Sequence, residues 1–210
     1  ANLDEEPRWA MLETVREYAL DQLRLSHEES ATRAAHAEVF VALAEAAKIG
    51  LEGPDQPRWL ERLDADDGNL QAALAWAIEG DPAEPELDAA RSSGPGQSAE
   101  LGLRLAGSLW RYWTIRGRQL EGRRWLERAL ALANRDAAPL VRADAAIALG
   151  NLAFDLSAFG AAREWYEESL RLRREIGDES GVADALNNLA LVVVAQGDHP
   201  AAERLHEESL

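Results

Sequence analysis

Apolar residues recur along most of this chain at three- and four-residue spacing, the signature of helices with one face turned inward, and the pattern itself repeats. The segment LGNLAFDLSAFGAAREWYEESL from Leu149 returns forty residues later as LALVVVAQGDHPAAERLHEESL from Leu189. It is present more faintly forty residues earlier, as LWRYWTIRGRQLEGRRWLERAL from Leu109. Self-similarity at such a period marks stacked supersecondary units, none of which buries its apolar face alone. In each unit a Leu opens the pattern and a small residue stands thirteen positions on, at Gly122, Ala162 and Ala202. A larger residue follows at plus seventeen (Leu126, Tyr166, His206) and another small one at plus twenty (Ala129, Ser169, Ser209). Small residues let helices approach closely, so each unit reads as two antiparallel helices clasped around alternating large and small side chains.

Upstream of the repeats the reading is also helical. Residues 1–9 are polar, carry Pro7 and form an irregular lead-in, whereas Leu12, Val15, Ala19 and Leu23 keep an apolar stripe at helical spacing. Ser26 with Glu29 three residues on has the form of a capping box, and the helix it would start carries Ala35, Val39, Leu43 and Ala46 on one face. Gly50 and Gly53-Pro54 stop that helix; a short one around Trp59, Leu60 and Leu63 follows, then another from about Asp67 to Glu79 bearing Leu70, Ala73, Leu74 and Ile78. Residues 80–98 hold three prolines, three glycines and few large apolar groups, too little burial to offset the entropy of ordering, and read as a linker. Paired helices are expected at 99–116 with 119–134, 138–156 with 159–176, and 180–196 with 199–210. Pro139 near a helix start, Gly197 at a helix end and Asp198 as the next cap are consistent punctuation.

Composition narrows the function classes. Of 210 residues 47% are hydrophobic, enough for a sizeable core. The chain has no cysteine, which removes disulfides and thiolate metal sites. A net charge of -16 argues against nucleic-acid binding by this segment, since that affinity rests on clustered Lys and Arg. No run of eighteen apolar residues and no basic-then-apolar N-terminal stretch occurs, so neither a membrane span nor a signal peptide is indicated and a cytoplasmic location is expected.

The spacing of Leu149, Gly150, Ala162, Tyr166 and Ser169 resembles the tetratricopeptide pattern, in which a Leu-Gly pair on a first helix packs against a small residue and an aromatic on the second. Units of forty residues ending in EESL, joined by LRREIGDESGVADALNNLA, resemble the arrays of large bacterial signal-transduction ATPases of the STAND class, including LuxR- and maltose-activator-like regulators. MLETVREYALDQL is similar to the end of the winged-helix domain of those proteins, and WLERLDADDGNLQAALAWA to their helical connector. The resemblance implies an all-α fold of antiparallel helix pairs stacked as a right-handed tetratricopeptide superhelix. It divides the chain into a winged-helix-like end at 1–25, a helical connector at 26–80, a flexible linker at 81–98, and repeats at 99–210 of which the last is truncated.

Candidate chemistry is sparse. Met11-Leu12-Glu13 matches a Met-His-Asp motif that reads nucleotide in related switches, but Leu12 stands where the histidine would be. Lys48, the only lysine, lacks the glycines and the Ser/Thr of a phosphate loop. Asp64, Asp66 and Asp67 suggest a calcium loop, yet its fifth position is Gly68 and its twelfth Ala75, so they read as capping and surface acids. Neither HEES sequence, at His27 or His206, has the second histidine a zinc helix needs, and His206 falls on the repeat's large packing site. His36 and His199 lack metal-spaced partners, and the serines have no His-Asp set or strained turn. No catalytic residue, metal site or cofactor is expected.

What remains is a surface. In tetratricopeptide arrays the first helix of each pair lines a concave groove, and the resemblance places Arg104, Arg111, Asn151, Phe154, Asp155, Asn187 and Leu191 there. Arg and Asn offer directional donors and Phe154 an apolar anchor. A clamp for a peptide carboxylate would need basic residues on successive first helices, and the later two units have none at these positions. Trp110, Trp113, Trp125 and Trp165 recur at helical spacing and read as core. The reading is a non-catalytic sensor arm that holds a protein or small-molecule inducer in the groove, with a plain protein-interaction scaffold as the alternative. Leu210 closes the last unit partway through a helix, and the face carrying Leu189, Val193 and Leu205 lacks a polar cap. Further repeats in the natural protein, and self-association through this end, are therefore expected.

Overall fold

The computed structural model describes residues 11–79, 95–133 and 138–210. Among the described residues the chain forms α1 (Glu13–Leu25), α2 (Glu29–Gly50), α3 (Gln56–Ala65), α4 (Asp67–Glu79), α5 (Pro95–Ile115), α6 (Gln119–Leu132), α7 (Pro139–Asp155), α8 (Phe159–Ile176), α9 (Glu179–Ala195) and α10 (His199–Glu208), and no strand. The lead-in at 1–9 and the linker residues 81–94 lie outside the described residues, while residues 95–98, expected in that linker, open α5.

The helix ends are set by a device that repeats with the sequence. After α5, α7 and α9 the chain reverses through a left-handed residue at Gly117 (φ 69°), Ser157 (φ 59°) and Gly197 (φ 86°), again forty residues apart. The next N–H in each case, of Arg118, Ala158 and Asp198, reaches back to the carbonyl of Trp113, Ala153 and Val193 at 2.7, 2.8 and 2.9 Å. This satisfies carbonyls that a helix end would otherwise leave unpaired. Asp198 then caps α10 by accepting the Ala201 N–H at 3.0 Å, and Asp178 caps α9 by accepting that of Gly181 at 3.0 Å.

At three places a ring lies where a side chain is missing. A Cβ on Gly122 would meet the Trp113 ring at 2.3 Å, one on Gly150 the Tyr166 ring at 2.4 Å, and one on Gly50 the Trp59 ring at 1.9 Å. Leu109, Leu126, Leu149, Ala162 and Tyr166 are all buried, as the clasp pattern requires. Two first helices also stack on the next one, α2 on α5 and α5 on α7, with α4 and α6 wedged between successive pairs, whereas α9 packs on α8 and α10. One hydrophobic core runs unbroken from Ala37 to Leu152, a second joins α7, α8 and α9, and a small third one closes α9 against α10. The molecule is an all-helical stack of antiparallel helix pairs, and α2 with α4 stacks onto α5 as α5 with α6 stacks onto α7.

Four expectations are corrected. Ser26 does not cap α2: it ends α1, its hydroxyl donating to the Leu23 carbonyl and to Glu28, while Glu29 is held by Arg24 and Arg33. The buried face of α2 is Ala37, Val41, Ala44 and Ala47, and Ala35, Val39 and Ala46 point outward. Alanines carry that face because α2 packs closely against α5, where bulk would not fit. The α1 stripe is largely exposed, Leu12 at 75% and Val15 at 49%, because α1 packs only lightly, on α2. His206 occupies the large-residue site of the last unit yet is exposed, its Nδ1 3.1 Å from Asn187 Oδ1.

Candidate binding groove

The first helices form one wall. Lys48 of α2 and Glu52 just beyond it, Trp110 and Arg111 of α5, Ile147, Asn151, Phe154 and Asp155 of α7, and Asn187, Asn188 and Leu191 of α9 line a single groove of about 480 Å³. Asp144, Asp184, and Tyr166 and Arg173 from α8, complete it. Six of the seven residues expected there are brought together: Arg111, Asn151, Phe154, Asp155, Asn187 and Leu191. Arg104 is not among them. Its guanidinium is bound bidentately to Glu45 of α2 at 2.8 and 3.0 Å, and that partner lies 59 residues away where no local pattern announces it.

The repeat period carried further information about this wall. Arg111, Asn151 and Leu191 stand forty residues apart, as do Gly107, Ile147 and Asn187, and Arg104, Asp144 and Asp184. Extending the period across the first helices would have found Asp144, Ile147 and Asp184. Lys48 and Glu52 had no such signal, because α2 lies outside the forty-residue register.

Each polar group on the wall is held differently. Asn151 lines the groove and accepts the Tyr166 hydroxyl at 2.8 Å through Oδ1, so its amide N–H donors are not used in that bond. Burial pushes the Tyr166 phenol well above its ordinary range, with the nearby Asp155 charge acting in the same direction, so it remains a hydrogen-bond donor. Asn187 Oδ1 receives Ser209 at 3.1 Å and faces His206 at the same distance, which ties α10 to α9. Arg111 lies over the Trp110 ring at 4.7 Å and donates to Glu52 at 2.9 Å. Asp155 accepts the Thr114 hydroxyl at 2.8 Å across the α5–α7 seam. Phe154 stands edge-on to Phe159 at 5.4 Å, while Leu191 is half exposed.

Behind the wall, a buried arginine joins two pairs. Arg173 of α8 donates to Ser169 Oγ at 3.2 Å, to Asp144 and to the Asp178 cap. The Gly181 N–H first, and then this guanidinium, hold the Asp178 carboxyl below its ordinary range. A second network ties α3 and α4 to α5 and α6. Tyr112 donates to Asp64 at 3.0 Å, Arg116 pairs with Asp64, and Arg118 bridges Asp67 at 2.6 Å and Glu121 at 2.7 Å. The aspartates that mimic a calcium loop in sequence are thus interhelical clasps, with Asp66 held by Arg62 at 3.1 Å. Trp113 is core and Trp125 and Trp165 pack against it, but Trp110 also faces the groove. Among the described residues no group of three or more His, Asp or Glu could hold a metal, and no helix is long and apolar enough to cross a membrane.

Comparison with known proteins agrees with this geometry. Residues 141–210, which comprise α7 to α10 apart from their first two positions, match the family described as Tetratricopeptide repeat. That family is generally a non-catalytic scaffold for protein interaction, and its repeats imply a protein-interaction role for the matched segment. Proteins of Mycobacterium tuberculosis and Mycobacterium bovis, described by name as HTH-type transcriptional regulators, are each 32% identical over 123 residues. The match covers 59% of this chain and 12% of each relative, so the chain spans a small part of the proteins it resembles.

Proposed function

We propose that this chain is the non-catalytic sensor and interaction arm of a bacterial STAND-type signal-transduction ATPase or transcription regulator, acting in the cytoplasm. A partner protein or an inducer sits in the groove, and the resulting shift in helix stacking is passed to a nucleotide switch elsewhere in the protein. The observation that carries the reading is the inner wall itself, where Asn151, the Phe154 ring and the exposed Leu191 converge on one open groove. The names of the mycobacterial relatives support a regulatory setting. Clustered apolar anchors beside directional polar groups are what a recognition surface needs.

The test compares the two walls in the complete protein that carries this arm. A Phe154→Ala/Leu191→Ala variant should lose the inducer-dependent transcriptional response and keep the basal output. Leu120→Ala, at a residue exposed on α6 outside the groove, should respond like the parent. A full response from the groove variant would contradict the proposal, and loss of a bound protein without any change in output would leave a plain scaffold.

A further inference from the structure

The charges on the groove wall do not cancel evenly along it. Glu52 is paired with Arg111, and Asp144 with Arg173. What remains is Lys48 on the α2 side and two carboxylates on the α7–α9 side. Asp155 is exposed and held by a neutral hydroxyl, and Asp184 is exposed with no hydrogen bond or ion pair among the described residues. Phe154 and Leu191, with Asn151 and Asn188, line the same groove. The repeat register sharpens the contrast: the site held by a cation in the α5 helix, Arg104, is an aspartate in α7 and α9, Asp144 and Asp184.

Resting on the groove reading above, we infer that the α7–α9 half of the groove selects an extended peptide segment carrying an arginine or lysine next to a large apolar residue. The cation lies toward Asp155 or Asp184, which stand eleven residues apart in the repeat register, the apolar side chain covers Phe154 and Leu191, and the amides of Asn151 and Asn188 take the peptide main chain. Charge complementarity argues for this occupant. An acidic segment would bring like charge to two carboxylates that pair with no cation among the described residues, and such juxtaposition is how an interface rejects wrong partners.

The test is fluorescence anisotropy on the full chain with three labelled octapeptides that alternate leucine with arginine, glutamine or glutamate. The arginine peptide should bind tightest and weaken most with added salt. Asp155→Asn/Asp184→Asn should weaken it by roughly three- to ten-fold, the scale of one or two exposed charge pairs. Glu164→Gln/Glu203→Gln, which makes the same change in net charge outside the groove, should leave it unchanged, so non-specific attraction to an acidic chain is separated out. Equal affinity for the arginine and glutamate peptides, or equal effects of the two double variants, would overturn the charge inference. The groove reading has its own readout: Leu191→Ala should weaken the arginine and glutamine peptides alike, and if it changes neither, that reading falls with the inference.

Discussion

The α7–α8 and α9–α10 pairs are built from the same pattern and end up differently buried. Leu149 is fully buried and Leu189 nearly so, and Ala162 and Ala202 lie at the same helix crossing. The large site separates them: Tyr166 is 2% exposed, lies over Gly150 and donates to Asn151, whereas His206 is solvent-exposed against Asn187. In the α9–α10 pair Ala190 replaces the glycine that Tyr166 covers in α7. The forty-residue pattern therefore specifies how two helices of one pair meet. How deeply the large residue is buried depends on local partners, a ring over a glycine in one pair and a polar ring beside an amide in the other.

That contrast is most sharply tested at the leucines. Leu149→Ala should cost about 2–5 kcal/mol, as for a cavity in a well-packed core. Leu189→Ala should fall near the low end, about 2 kcal/mol, because Leu189 is slightly exposed and lies in the smaller core that joins α7, α8 and α9, whereas Leu149 belongs to the largest one. Urea titration of both variants measures the difference, and equal losses would mean that the two pairs are packed alike. The ring site gives the next effect. Gly150→Ala places a Cβ against the Tyr166 ring and should cost about 1–2 kcal/mol despite the better helix propensity of alanine. In a Tyr166→His background, which imitates the last pair, the same substitution should cost almost nothing; additive losses in that double-mutant cycle would show that the ring and the glycine are not coupled.

Smaller effects sit at the turns. Ser157 adopts the left-handed conformation that glycine supplies at the equivalent Gly117 and Gly197, so Ser157→Gly should stabilise by about 0.5 kcal/mol, read as a rise in Tm. The Asp178 carboxyl is held below its ordinary range in the folded state, so its contribution is present above the ordinary value and is lost as pH falls through the folded one. Stability should therefore begin to drop as pH falls through the ordinary carboxylate range. Asp178→Asn should flatten that part of the profile, and an unchanged acid limb would remove Asp178 from the account.

Apart from the start of α5, helix limits and pairing from α5 to α10 were legible because Leu, small and large sites recur at fixed offsets. The face of α2 was not: Val39 and Ile49 carry the hydropathy but point outward, and the burial lies in alanines whose value is their small size against α5. His206 misled for a related reason, since position in the pattern does not determine burial. On the groove wall Arg111, Asn151 and Leu191 were readable from one shared register, whereas the fate of Arg104 depended on Glu45, far away in sequence. Asp144 and Asp184 share the register of Arg104, so only the comparison of all three first helices announces them.

The central claim is that the partner engages the inner wall of first helices. Photo-cross-linking in cells, with a benzophenone amino acid placed at Leu191 in the groove or at Leu120 outside it, tests this most directly. The account predicts a discrete protein adduct from position 191 that is absent from position 120 and disappears on Phe154→Ala. The same adducts from both positions, or an adduct from position 120 alone, would contradict it.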